Sequence, residues 1–84
     1  MSIAGNIDIS IIIPVIREEK YIENALEQLK ARLSRCRWEI IVVDGDEQGG
    51  TIAAVTDPLI KSLVSPAGRS LQMNTGAAAA SGKI

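Results

Sequence analysis

A three-layer, Rossmann-like α/β fold with about three parallel strands and flanking helices is predicted by three observations. The runs ISIIIPVI at 9–16 and WEIIVVD at 38–44 are almost wholly apolar and β-branched, the pattern of strands buried on both faces of a parallel sheet. Between them the apolar residues change to helical spacing. The alternation of strand and helix then continues toward the carboxyl end, as an open sheet with right-handed crossovers requires.

Taken in order, the first strand covers Ile9 to Ile16, and Pro14, which lacks an N–H, is expected at the carboxyl end of its hydrogen-bonded part. From Glu18 to about Arg35, the residues Ile22, Ala25, Leu26, Leu29 and Leu33 fall on one stripe of an amphipathic helix. Glu18 and Glu19 are expected in its first turn and Lys30, Arg32 and Arg35 in its last, where each sign complements the helix dipole. The second strand, Trp38 to Asp44, ends in an acid and runs into the loop composition DGDEQGG. Thr51 to Val55 is expected to form a helical turn that Asp57-Pro58 breaks, and Leu59 to Val64 a third strand. Arg69 to Ala80 has high helix propensity, with Gly82 as its expected cap, and Asn74-x-Gly76 with the following alanines suits close packing on the sheet. Ile84 is expected to open a fourth strand.

Composition bounds the function. The 84 residues allow one domain, and 46% hydrophobic residues with net charge −1 describe a globular chain rather than a disordered one. A chain this short buries only roughly 60% of its unfolded surface, so its stability is expected to be marginal. The basic cluster Lys30, Arg32, Arg35, Arg37 has no aromatic residues interleaved for base stacking, so nucleic acid is not suggested. Cys36 is the only cysteine and histidine is absent, which excludes disulfide frameworks, histidine bases and Cys/His zinc sites within these residues. The amino terminus lacks signal-peptide character and no apolar run is long enough to span a bilayer, so a cytoplasmic location is expected.

Ligands of open parallel sheets bind beyond the carboxyl ends of the strands, here the residues following Val15, Val43 and Val64. Three polar groups fall there: Glu18, the Asp44–Asp46 loop, and Arg69. The first loop has Ile16-Arg17-Glu18-Glu19 in place of a glycine-rich pyrophosphate turn. Two carboxylates repel phosphate but accept hydrogen bonds from ribose hydroxyls or a base N–H. The plainer reading of both is helix-end complementarity. Asp44, at the end of a strand, either reads a ribose or base or satisfies backbone N–H groups of its own loop. Asp44-Gly45-Asp46 also matches a D-x-D metal pattern, but one pair of carboxylates without further oxygen ligands is weak, and no metal is assigned. Arg69, after Gly68, either pairs with a diphosphate or base carbonyl or is a solvated surface residue.

Three segments in order resemble the inverting glycosyltransferases of family 2, which have the GT-A fold. ISIIIPVIREEKYIENALEQL resembles the opening strand and helix, usually ending P-x-x-N-E-E; WEIIVVDGDEQGGT resembles the second strand with its nucleotide-reading Asp. SPAGRSLQMNTGAAAASG resembles the later Arg, N-x-G and A-x-G stretch, close to a bacterial subgroup with G-R-x-x-Q-M-N-x-G-A-A-A-A. The resemblance implies a UDP-sugar or similar donor, with Pro14, Val15 and Glu18 lining the nucleoside site, Asp44 bonding the base and Arg69 near the base or phosphates. Asp46 completes this nucleotide-binding set. Two departures stand out: Arg17 occupies the usual Asn position, which could alter ribose contacts, and D-G-D replaces the commoner D-D-x or D-G-G.

In the family the metal-binding D-x-D follows the fourth strand and the catalytic base lies further on. Residues 1–84 thus resemble a partial GT-A nucleotide-sugar-binding domain truncated before that strand, and a divalent metal (Mg or Mn) is expected only for a full-length protein. Glycosyl transfer needs a base for the acceptor hydroxyl and a cation for the departing diphosphate, so these residues alone are expected to be inactive. The alternative is a non-catalytic nucleotide-binding or self-associating module. A free edge on the first strand is expected to pair with another chain, giving a homodimer or larger assembly.

Overall fold

A parallel sheet of three strands in the order β1-β2-β3 positions every candidate site residue; β1 is Ile9–Val15, β2 Trp38–Asp44 and β3 Lys61–Val64. The computed structural model describes residues 7–33 and 35–82. Helix α1 (Ile22–Arg32) and the short α2 (Gly50–Ala53) cover one face, and α3 (Arg69–Ala79) covers the other. The order is therefore β1, α1, β2, α2, β3, α3 in three layers, the α/β architecture expected. The expected fourth strand at Ile84 lies outside the described residues.

Strand parity divides the core. Ile40 and Val42 face α1 with Val15, Ile22, Leu26 and Ile60, whereas Ile41 and Val43 face α3 with Ile12. Successive strand side chains point to opposite faces, so a run without polar alternation fills both layers. β2 does this fully, since Ile40 to Val43 are all inaccessible to solvent. β1 does so only in part: Ser10, Ile12 and Val15 are buried and its other residues half-buried, because among the described residues it has one neighbouring strand. Burial of the first strand on both faces is corrected accordingly.

Pro14 lies within the pairing, opposite Val43, with Val15 opposite Asp44 beyond it. Val15 O accepts from Gly45 N at 2.9 Å, so odd-numbered residues of β1 bond to β2 and even-numbered ones face the other edge. The missing N–H of Pro14 therefore removes nothing from the β1–β2 ladder, and the ladder continues past it.

Helix α1 begins later than expected. Glu18 and Glu19 precede it in a turn whose Glu18 carbonyl accepts from Tyr21 N and Ile22 N, both at 3.0 Å. The acid of the first turn is Glu23, and Lys30 and Arg32 occupy the last; Arg35 lies beyond the end. Ile22 and Leu26 are buried and Leu29 and Leu33 pack beside them, but Ala25 is exposed. Lys30 pairs with Asp57, tying α1 to the segment before β3, and Arg37 pairs with Asp8 at 3.3 Å. Two of the four cluster cations are thereby neutralised.

Helix α3 lies close to the sheet because Gly76 has no β-carbon; one placed there would stand 2.5 Å from Ile12 Cγ2 and 3.2 Å from Val43 Cγ2. Its cap is Ala80, in extended conformation, rather than Gly82. Gly82 instead donates its N–H to Ser10 Oγ at 2.8 Å, while Ser81 N donates to Glu39 Oε1 at 2.8 Å. Both bonds bring the end of α3 down onto the amino ends of β1 and β2.

Candidate functional site

The parallel strands send their carboxyl ends to one edge, and the loops leaving that edge form two adjoining clefts. One, of about 310 Å³, is lined by Pro14, Val15, Ile16, Glu18, Gly68, Arg69 and Gln72. The other, of about 620 Å³, is lined by Ile16, Arg17, Gly45, Asp46, Glu47, Gln48, Pro66 and Ala67. Ile16 borders both. Of the six residues singled out in the sequence, Pro14, Val15, Glu18 and Arg69 thus share one cleft and Asp46 lines the next.

Asp44 lies beneath them and is inaccessible to solvent. Its Oδ1 accepts from Asp46 N at 2.9 Å, and its Oδ2 from Thr51 N at 3.0 Å and Ile52 N at 3.3 Å. A carboxylate taken out of water needs such donors, and the first turn of a helix supplies N–H groups without internal acceptors. Asp44 therefore shapes its own loop. Asp46 Oδ1 accepts from Gln48 N at 3.0 Å, an Asx turn that leaves the side chain at the cleft. With Asp44 enclosed, the D-G-D pattern does not present two free carboxylates to a cation, and no group of three or more acidic or cysteine side chains converges among the described residues.

Thr51 joins the first loop to this arrangement. Buried completely, its Oγ1 accepts from Glu18 N at 2.9 Å and donates to Glu19 Oε1 at 3.3 Å. Glu18 consequently has its backbone fixed and its side chain exposed at the cleft. Arg17, immediately before it, has φ of 55°, a left-handed conformation uncommon for a residue with a β-carbon.

On the opposite side, Gly68 with φ of 135° turns the chain into α3 and sets Arg69 at the helix start. That conformation is open to glycine because no side chain is present to clash. Among the described residues, neither Arg17 nor Arg69 takes part in an ion pair within 4.0 Å. Two guanidinium groups and the carboxylates of Glu18 and Asp46 therefore border the clefts without neutralising one another. Fork-shaped donors of this kind suit phosphate oxygens, and carboxylates suit sugar hydroxyls and base N–H groups.

Sequence reasoning did not single out Thr51 or Gln72, and it weighed Glu19 with Glu18 without foreseeing its bond to Thr51. Thr51 gave no signal, since its meeting with Glu19 depends on a contact between residues 32 apart. Gln72 did carry one: with Gly76 and Ala80 it falls at i, i+4 and i+8 on the inward stripe of α3, where a polar side chain is out of place.

A further cavity of about 190 Å³ between α1 and residues 55–57 is bordered by Glu23, Glu27, Lys30 and Asp57. Lys30 is already paired with both Glu27 and Asp57 there. Among the described residues no helix is long and apolar enough to cross a membrane.

Comparison with curated proteins and with solved structures finds no match to either. The family model of glycosyl transferase family 2, by contrast, matches residues 10–84, the span that holds all three strands after Ile9 and every residue bordering the clefts. The α/β parallel sheet is consistent with that match, which covers most of the sequence, and the chain belongs to glycosyl transferase family 2.

Proposed function

We propose that the two adjoining clefts form the nucleotide half of a donor site for sugar transfer from a nucleotide sugar, a UDP-sugar by preference, with residues 1–84 supplying the nucleoside-binding half and not the transfer chemistry. The observation that carries this reading is the convergence of Pro14, Val15, Glu18 and Arg69 on one cleft beside that of Asp46, in a chain of this family. Glu18 and Asp46 accept from the ribose hydroxyls and a base N–H; Arg69, with Arg17 across Ile16, pairs with the diphosphate. Asp44 contributes by holding the loop that presents Asp46. None of these residues is assigned as the acceptor base or a metal ligand. A nucleotide-sugar donor and an unpaired Cys36 fit a cytoplasmic setting.

The test is the site of UDP contact. Titrating UDP into isotope-labelled protein should shift the amide resonances of Ile16, Gly45, Asp46 and Gly68 together and leave those of Glu23 and Thr56 unmoved. Shifts confined to the α1 side, or none, would remove the reading.

A second reading, a non-catalytic module that associates with itself, is favoured by the outward-facing backbone groups of even-numbered β1 residues. Light scattering at micromolar concentration separates them: a dimer supports strand-edge association, and a monomer removes it.

A further inference from the structure

Gln72 lies on the inward face of α3 and is only 3% exposed. A glutamine removed from water must place two donor hydrogens and an acceptor, or lose roughly 1–3 kcal/mol for each group left bare. All are placed here. Nε2 donates to Val15 O at 3.0 Å and to Val43 O at 2.9 Å, and Oε1 accepts from Gly68 N at 3.2 Å. The reverse orientation of the amide would set its oxygen against two carbonyl oxygens, so these partners fix which end is which.

The three partners belong to different elements. Val15 is the last residue of β1, Val43 the penultimate residue of β2, and Gly68 the residue before Arg69. A fourth element joins by contact: a β-carbon on Gly45 would lie 2.8 Å from Gln72 Oε1, so the start of the Asp46 loop is pressed against the same amide. An apolar side chain could fill this space, as Met73 does beside it, but could not hold the Gly68 N–H, which the helix leaves without an internal acceptor.

We propose that Gln72 is a positioning residue for the nucleotide site: its amide locks the turn bearing Arg69 to the strand ends bearing Glu18 and Asp46. The guanidinium then meets a diphosphate at a set distance from the acids that meet the nucleoside. This rests on the donor-site reading above; Gln72 borders the first cleft, but its amide hydrogens and oxygen are already engaged by Val15, Val43 and Gly68.

Gln72→Met keeps the length and removes all three hydrogen bonds. The first readout is amide exchange, which needs no ligand: Gly68 N–H should exchange at least about tenfold faster, with Ile41 and Val42 unchanged. Unchanged exchange at Gly68 would overturn the proposal. The second is a cycle of UDP affinities over wild type, Gln72→Met, Arg69→Ala and the double variant. Each single change should weaken UDP binding about tenfold and the double variant about as much as Arg69→Ala alone, because Gln72 acts through Arg69. Uridine, lacking phosphates, should lose less than about twofold in Gln72→Met. Losses that multiply in the double variant, or an equal loss for uridine, would show a merely structural role. If wild type does not bind UDP, the donor-site reading fails and overturns the positioning role with it, while exchange at Gly68 separately tests the lock on the turn. Should Gln72→Met not fold, Gln72→Glu serves: its carboxyl donates to a strand carbonyl only when protonated. Its UDP affinity relative to wild type should then recover as pH falls from about 8 to about 5, and a flat ratio would overturn the proposal.

Discussion

Asp44 Oδ2 accepts the backbone N–H of Thr51 at 3.0 Å, joining the last residue of β2 to the first turn of α2. Through Thr51 Oγ1 the connection passes to Glu18 N, so one enclosed carboxylate organises both loops of the site. Asp44→Asn turns an amide group toward buried N–H donors and strips at least one of its acceptor, at a cost of about 1–3 kcal/mol. In a domain of this size each kcal/mol lowers the melting temperature by about 4–8 °C. Thermal melting of the variant checks this, and an unchanged midpoint would contradict it. UDP affinity should fall with the loop.

Gly76→Ala places a methyl group against Ile12 and Val43. Overpacking costs about 1–3 kcal/mol, and the better helix propensity of alanine returns about 1 kcal/mol. The expected result of urea denaturation is a net loss of up to about 2 kcal/mol. A more stable variant would mean that α3 lies further from the sheet.

Arg17→Gly separates binding from stability. A left-handed residue with a β-carbon is strained by roughly 1–2 kcal/mol, while glycine adds about 0.5–1 kcal/mol of unfolded-state entropy. Denaturation should find the variant as stable as wild type or slightly more so. Removing the cation should nonetheless weaken UDP binding about tenfold, equal to about 1.4 kcal/mol. Full retention of affinity would remove Arg17 from the site.

Glu39, far from the clefts, sets an acid limit on stability. Lys61 Nζ donates to Oε2 at 2.7 Å, and Ser81 N and Ser10 Oγ donate to Oε1, each at 2.8 Å. Lys61 first, then the Ser81 N–H, hold its carboxyl below the usual glutamate value. A lowered folded-state value means that the unfolded chain binds the proton more readily. Its contribution is therefore present above the ordinary glutamate range, near about pH 4.3, and is lost as pH falls through the folded value. Asp8, held down by Arg37, and Asp57, held down by Lys30, act in the same sense. Melting temperature should fall as pH drops below about 5, and less steeply in Glu39→Gln. Parallel curves would contradict the assignment.

Much of the fold was legible because it depends on local pattern. The apolar run Trp38 to Asp44 is β2 to the residue, and the helical period found α1 and α3. The departures arise where tertiary contacts prevail: Glu18 and Glu19 leave the helix because Thr51 binds the Glu18 N–H, and Gly82 leaves its capping role to meet Ser10. Proline's tolerance inside β1 follows from the direction of its nitrogen, which no single-strand pattern records. At the site, position after a strand end was enough to gather Glu18 and Arg69, and the family resemblance added Pro14 and Val15. It could not tell that Asp44 faces inward and Asp46 outward, since that depends on which backbone N–H groups the loop closes over the carboxylate.

The most direct test of the donor site is calorimetric titration of UDP into wild type, Glu18→Gln and Arg69→Ala, side chains that make no hydrogen bond or ion pair among the described residues. We expect saturable binding to one site per chain, weakened about tenfold by each substitution with melting temperature unchanged. Absence of binding to wild type, or equal affinity in all three proteins, would contradict the account.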